Sequence, residues 1–469
     1  MDLSTVHPEL QALADHWATT HHLPALVWGV MLDGQLTMSG HSGQLDDGSS
    51  PTTRSVFRIA SMTKPFTAAT VLRLRDDGAL ALDEPLPELP IASTGDAPQI
   101  TLRHLLSMQS GLTADDPWAD RHLDITTAEL DEILAARPRF GVPPGTAFEY
   151  SNLGYAVIGR AVERRTGARL QDLVDDVLLQ PLGLQRTTWL RPSHDDWARP
   201  YRVEDDAPAR DSEPLGDGAL APMGGLWSTV EDLARVMKFF DDAFPPRDGD
   251  DDGPLRRSSR REQQQVQRAA GVTRTETTGE GLDHVPERVD AAGYGFGMQI
   301  VHDQRFGHIA GHSGGLPGYG SNMRWLPGRR AGAVALANAT YAPMRLLTRR
   351  MLEVLDDHGF VPPVATSPNE ALQTAAAALV GLVNDWDDRV ADRLFADNVA
   401  SDESYERRAG AARDVVAAHG PLTLEQIDAT LDTDATAIAR AGDGHEVKLW
   451  FALSPLREAR IQEYTVTAE

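Results

Sequence analysis

Strand-like segments stand at both ends of a long helix-favouring stretch in this chain, and that order restricts the folds open to it. Near the start, Ala25 to Leu32 is apolar and extended in pattern, Asp33-Gly34 follows, and Gln35 to Ser39 reads as the returning strand of a hairpin. Ser55 to Ala60 reads as a short strand, and Ser61 to Asp77 as a helix closed by Gly78, so Ser61 falls at a strand-to-helix junction. From Leu80 to about Asp242 the punctuation favours helices. Thr101 can cap Leu102 to Ser110, Thr127 can cap Ala128 to Ala136, Tyr155 to Thr166 is helical in pattern, and Ser228 with Glu231 makes a capping box. Strand patterns return at Gly293 to Val301, Arg305 to Ala310, Ser321 to Leu326 and Gly332 to Asn338, ahead of a helix near Met344 to His358. Strands therefore flank a helical insert spanning about 80–290, which predicts an α+β domain over 1–360.

Residues 245–290 interrupt the pattern with Pro245-Pro246, the acidic run Asp248 to Asp252, and Arg256, Arg257, Arg260 and Arg261. That composition predicts a mobile, solvated loop around one short helix. Pro-rich Val361 to Pro368 reads as a linker. Beyond it, Asn369 to Phe395 and Ser401 to His419 are helical in pattern. Alternating runs follow, including Glu446 to Leu453 and Ala459 to Val466, with a turn at Gly442-Asp443-Gly444. This predicts a small C-terminal α+β domain over 369–469, superficially similar to cystatin-like or nuclear-transport-factor-like cones, with Trp386, Trp450 and Phe451 in its core.

Of 113 charged side chains, 69 are acidic and 44 basic, a formal net charge of -25, so phosphate backbones and anionic membrane surfaces are repelled on average. No nucleic-acid or membrane partner is expected. Cysteine is absent, which removes disulfides, thiolate metal sites and a cysteine nucleophile. Met1 to Trp17 lacks the basic flank and apolar run of a signal peptide, and no stretch approaches the roughly eighteen apolar residues of a membrane span. A cytoplasmic, soluble protein is the expectation. Asp248, Asp250, Asp252 and Gly253 imitate the start of a calcium loop, but Ser259 stands where a bidentate Glu is needed. His21-His22 and the scattered histidines lack ligand spacing, so neither metal nor cofactor is expected.

All but three of the basic residues are arginine; the exceptions are Lys64, Lys238 and Lys448. Where any cation would serve, this chain uses arginine, so each lysine raises the question of an amine that must lose a proton. Lys64 closes Ser61-Met62-Thr63-Lys64, an S-x-x-K spacing at the first turn of a helix, where positions i and i+3 share a face. A serine hydroxyl is a weak nucleophile until a neighbour takes its proton, and a buried lysine at a helix N-terminus can do so where arginine cannot. Tyr150-Ser151-Asn152 offers a phenol as a second proton carrier and an amide for substrate or lysine. At the end of the Arg305 to Ala310 strand, His312-Ser313-Gly314-Gly315 offers an imidazole and a glycine-lined edge that a substrate backbone can approach.

Taken in order, Ser61-x-x-Lys64, Tyr150-x-Asn152 and His312-x-Gly314 resemble the three signatures of the serine β-lactamase and penicillin-binding superfamily, in its class C branch. The connecting segments are similar too: Thr101 to Leu106 through Ser110-Gly111-Leu112, Pro144-Gly145-Thr146, Pro181-Leu182-Gly183-Leu184 and Gly224 to Thr229. The resemblance spans roughly residues 10–355. It implies a β-lactamase/transpeptidase-like antiparallel sheet flanked by helices, with an inserted helical domain and the active site in the cleft. It further implies Ser61 as the acylated nucleophile, Lys64 and Tyr150 as the proton-transfer pair, and Asn152 as a substrate and lysine contact. His312 would line the cleft beside the substrate-binding Ser313, Gly314 and Gly315, with the N–H groups of Ser61 and Gly315 forming an oxyanion hole. Which of Lys64 and Tyr150 acts first is left open.

Where β-lactamases of this branch usually carry lysine, this chain has His312, which disfavours antibiotic hydrolysis and favours an ester or a D-amino-acid-type peptide as substrate. Two other readings compete. Gly311-His312-Ser313-Gly314-Gly315 matches G-x-S-x-G, the nucleophile elbow of α/β-hydrolases, but no helix-forming sequence follows Ser313. A non-catalytic or penicillin-sensing family member would keep the fold without turnover.

Overall fold

The computed structural model describes residues 3–86, 89, 99–193, 196–247, 249–251, 253–279, 281–364 and 368–468. Asp248 and Asp252 of the acidic run and residues 365–367 of the predicted linker lie outside them. The chain forms two compact units, Met1–Val364 and Ala365–Glu469.

In the first unit, β1 (Ala25–Leu32) is buried along its whole length, as befits a strand covered on both faces, and turns through Asp33 (φ 50°) and Gly34 (φ 69°) into β2 (Gln35–Gly43). On its other edge β1 pairs with the last strand of the sheet, more than 290 residues away along the chain. Among the described residues β3 (Arg268–Thr275), β4 (Arg288–Tyr294), β5 (Gln299–Asp303), β6 (Gly307–Leu316), β7 (Tyr319–Leu326) and β8 (Ala331–Ala337) complete an antiparallel sheet of order β2-β1-β8-β7-β6-β5-β4-β3. The closure is set by registers such as Val27↔Leu336 and secured by the Asn338 side chain, whose Oδ1 accepts the Ala25 N–H at 2.8 Å.

Apolar side chains fill both faces of this sheet. On one side α1 (His7–Thr20) and the late helix Met344–Asp357 contribute Leu10, Leu13, Leu347, Met351 and Leu355 to a buried cluster with Leu26, Trp28 and Val30. The other cluster joins Val27 and Met31 to the inserted helices, among them α2 (Lys64–Asp76) and α3 (Asn152–Thr166). The α+β layout expected from sequence is present: strands from both ends of the unit make one sheet, with helices inserted between them.

Several local expectations shift. Residues 268–275 and 288–294 are β3 and β4, which extend the sheet edge, so the stretch expected to be a loop carries one short helix (Arg257–Gln263), a short 3-10 turn and two strands. β3 is exposed along most of its length, so its sequence lacks the apolar alternation that marks a half-buried strand. Gly293 to Val301 is divided between β4 and β5, with Gly297 at φ 68° in the break. Capping moves by one residue at two helices: Thr126 rather than Thr127 caps Thr127–Ala135 in a capping box with Glu129, and Thr229 rather than Ser228 accepts the Asp232 N–H; α3, expected from Tyr155, begins at Asn152 with Ser151 as its cap. Where two candidate hydroxyls are adjacent, the one whose backbone is extended at the helix entry takes the role.

The second unit carries helices Glu370–Asn384 and Tyr405–His419 and a four-stranded antiparallel meander: β9 (Thr423–Leu431), β10 (Asp434–Arg440), β11 (Glu446–Leu453) and β12 (Ile461–Ala468). Val447, Leu449, Phe451 and Leu453 alternate into its core, and Trp386 packs against that core partly buried. Trp450, expected in the core, falls on the other face of β11 by strand alternation and is half-buried.

Candidate active site

The turn that delivers Ser61 is a 3-10 segment, Ala60–Thr63, running directly into α2. Ala60 has φ 50°, a left-handed conformation costly for a residue with a Cβ, immediately before the serine. One turn on, Lys64 is fully buried, and its Nζ lies 2.8 Å from Ser61 Oγ, 2.7 Å from Asn152 Oδ1 and 2.8 Å from the Met223 carbonyl oxygen. The aromatic faces of Tyr150 and Tyr155 stand 4.9 Å and 5.4 Å from the same nitrogen.

Burial pushes the Lys64 amine down to about 8, against the opposing pull of Asp116, Asp120 and Asp115. Burial raises the Tyr150 phenol well above its ordinary value, partly offset by its hydrogen bond with Ser61. A partly neutral amine and a fully protonated phenol therefore converge on one hydroxyl. Lys64 can accept the serine proton, and Tyr150 can donate or relay one. With Lys64 as the limiting base, kcat/KM for an uncharged ester should rise with pH and level off above about 8, because the protonated amine predominates below that value. A profile flat across this range would remove Lys64 from the proton transfer.

Asn152 is fully buried at the start of α3; its Oδ1 accepts from Lys64 and its Nδ2 donates to Asp116 Oδ1 at 2.5 Å. Asp115 fixes this helix entry by accepting the N–H groups of Asn152 (2.7 Å) and Leu153 (2.8 Å). Thus the Asn152 amide is engaged by Lys64 on one side, as expected, and by Asp116 on the other.

β5 pairs with β6 no further than Gly311, so from His312 onward that edge of β6 has no strand neighbour in the sheet. Gly314 on this stretch faces the Ile59 carbonyl oxygen and the Ala60 methyl group, next to Ser61. The expected strand end at Ala310 is instead a continuous strand to Leu316, and its alternation separates the two polar residues of the motif. Ser313, Gly314 and Gly315 line the cleft with Ser61 and Tyr150.

His312 does not line the cleft. It is 1% exposed, donates Nδ1–H to the Ser313 carbonyl at 2.5 Å, and accepts from the Tyr294 hydroxyl at Nε2, 2.8 Å away. Burial, with Lys64 nearby, drops its pKa to about 3, so the ring is neutral and supplies no cation for a substrate carboxylate. The His312 and Tyr294 rings pack against Tyr150, with centroids 6.2 Å and 6.1 Å from it.

The cleft also contains residues not singled out from sequence. Asp116 and Asp120 form part of its wall, Arg345 is on its rim, and Tyr341 (φ 52°) overhangs Gly315. Tyr341 donates its hydroxyl to Asp120 Oδ2 at 2.8 Å, and burial lifts the Asp120 carboxyl to about 6. The one available signal was the Asp115-Asp116 pair just after the Ser110-Gly111-Leu112 segment. Nothing local ties Tyr341, far along the chain, to Asp120. Ser313 lies inside a strand, followed at Tyr319 by another strand, so the strand-turn-helix required of a nucleophile elbow is absent there.

The family model described as Beta-lactamase matches residues 10–356. The chain belongs to this family. Relatives within it include Penicillin-binding protein 4 of Amycolatopsis lactamdurans, 30% identical over 402 residues that cover 80% of this chain and 97% of that protein. Esterase EstB of Burkholderia gladioli is 30% identical over 281 residues (51% of this chain, 71% of EstB). The D-alanyl-D-alanine-carboxypeptidase/endopeptidase AmpH of Escherichia coli K12 is 28% identical over 315 residues (65% of this chain, 77% of AmpH). A solved structure, the octameric penicillin-binding protein homologue from Pyrococcus abyssi, superposes with a TM-score of 0.63 at 16% identity, covering 99% of this chain and 100% of that one, which establishes likeness of fold. Among the described residues, no helix is long and apolar enough to cross a membrane.

Proposed function

We propose that this chain is a serine hydrolase that cleaves an ester or a D-amino-acid-type amide or peptide bond through an acyl-enzyme on Ser61. The observation that carries the reading is the 2.8 Å approach of the buried Lys64 amine to Ser61 Oγ, in surroundings that lower its pKa to about 8. In the forward step neutral Lys64 takes the hydroxyl proton as Oγ bonds to the acyl carbon. The proton then passes, with the Tyr150 phenol as relay, to the leaving oxygen or nitrogen as its bond to that carbon breaks. In the second half water attacks the acyl carbon and gives its proton to Lys64, which passes it to Ser61 Oγ as the Oγ–acyl bond breaks, releasing the acid and restoring both groups. The N–H groups of Ser61 and Gly315 would stabilise the oxyanion in both halves. His312 and Tyr294 serve as positioning residues behind Tyr150.

The charges around the cleft favour the D-amino-acid branch of this reading. Asp116 and Asp120 suit an amine, Arg345 suits a carboxylate, and a small peptide carries both. The neutral His312 disfavours β-lactam turnover. Labelling with a fluorophosphonate or a penicillin, followed by mass spectrometry, tests the nucleophile. Adduct at Ser61 is expected, adduct at Ser313 would revive the elbow, and no adduct would point to a non-catalytic member. Short-chain p-nitrophenyl esters, D-amino-acid amides and a chromogenic cephalosporin then separate the substrate classes and distinguish turnover from a stalled acyl-enzyme.

A further inference from the structure

In the second unit, His419 is the last residue of its helix, and Asp443 and His445 belong to the turn joining β10 to β11. Folding brings the three together. His419 Nδ1 is 3.0 Å and His445 Nδ1 2.9 Å from the same Asp443 Oδ2, the ring centroids are 5.1 Å apart, and one potential ligand atom from each residue lies within 4.8 Å of the others. Spacing along the chain gave no hint of this, because His419 comes from a different element.

The geometry points to a divalent transition-metal site, of the Zn2+ or Ni2+ class, ligated by His419 Nδ1, Asp443 Oδ2 and His445 Nδ1. Metal–nitrogen and metal–oxygen bonds of about 2.0–2.2 Å place neighbouring donors roughly 2.9–3.5 Å apart, so the two nitrogen–oxygen separations already suit a common ion. Two imidazoles with one carboxylate favour this class over Ca2+ or Mg2+, which take oxygen ligands. The carboxylate is preset: its other oxygen accepts the His445 N–H at 3.0 Å, and the Asp443 N–H donates to the His419 carbonyl at 2.9 Å. These bonds with His445 and His419 hold the Asp443 carboxyl down at about 2. The helix C-terminus adds a dipole end that favours a cation. On binding, each imidazole gives up the Nδ1 proton it shares with Asp443, by tautomeric shift to Nε2 or by release to solvent, and offers the Nδ1 lone pair to the ion, while water takes the remaining positions. The ion ties the helix end to the β10–β11 turn, independently of Ser61.

The test is calorimetric titration of the full chain, stripped with a chelator and dialysed, with ZnCl2 and NiCl2 at neutral pH. The expected result is one ion per chain beyond that taken by the His419→Ala/His445→Ala variant, with affinity lowered at least about tenfold by Asp443→Asn. Zinc should also raise the thermal midpoint of the wild type and not of the double variant. Equal binding by wild type and double variant overturns the site. If the double variant fails to fold, His445→Gln, on the exposed turn, gives the same comparison, and unchanged affinity there has the same consequence.

Discussion

Lys64→Arg should lower acylation of Ser61 by about 10³-fold or more while the fold persists. General-base catalysis contributes about 10²–10⁴-fold, and a guanidinium remains protonated throughout the accessible pH range, so all of that contribution is forfeited. Keeping positive charge does not compensate, because the role assigned to Lys64 begins with an unprotonated nitrogen lone pair beside Ser61 Oγ. The larger planar head must also fit where Nζ now meets Ser61, Asn152 and Met223. Lys64→Met, of similar length and without charge, separates the effects: it lacks the base but not the space. Labelling rates with a fluorophosphonate, alongside thermal unfolding, provide the measurement. A folded Lys64→Arg protein labelled within tenfold of wild type would refute the role of this amine.

The second large effect is expected from Gly314→Ala, which adds one methyl group at the point where β6 touches the nucleophile turn. That Cβ would occupy space held by the Ile59 carbonyl oxygen and the Ser321 hydroxyl, and would come within 3.1 Å of Ala60 Cβ. Ser321 Oγ donates to Ile59 O at 2.9 Å, so the methyl group displaces a buried hydrogen bond as well as backbone. Since Ala60 is already in a left-handed conformation, the turn has little freedom to yield without moving Ser61. A displacement of about 1 Å in a reacting group can cost 10²-fold, and overpacking typically costs about 1–3 kcal/mol. Ester hydrolysis should fall about 10²-fold and the thermal midpoint should drop. Wild-type kinetics in this variant would mean that β6 does not position the Ser61 turn.

Much of the site was legible where its chemistry is local. Ser61 and Lys64 are one helical turn apart, and a lysine in a chain that otherwise uses arginine stands out by composition. Tyr150 and Asn152 were legible as a spacing, but the partners of the Asn152 amide, Lys64 on one side and Asp116 on the other, come from separate elements. His312 illustrates the limit. Its motif was visible, yet whether the imidazole or the adjacent Ser313 reaches the cleft depends on the extent and parity of β6, which the glycines obscure. Asp120 and Tyr341, and likewise His419 and His445, have no meaningful relation until distant elements pack together.

By itself, then, the amino-acid order determined the elements bearing a local signal: the Asp33-Gly34 hairpin, the helix opening after Ser61, the insertion of helices between strands, and the amine three residues from its hydroxyl. Tertiary structure alone decided that β1 closes onto β8, that two polar segments become β3 and β4 and carry the sheet out to its edge at β3, and that His312 is buried and neutral. The physical reason is common to all three. Backbone turns and helix caps draw on neighbours a few residues away, whereas edge pairing, strand parity and the proton affinity of a buried group depend on what the rest of the chain packs around them.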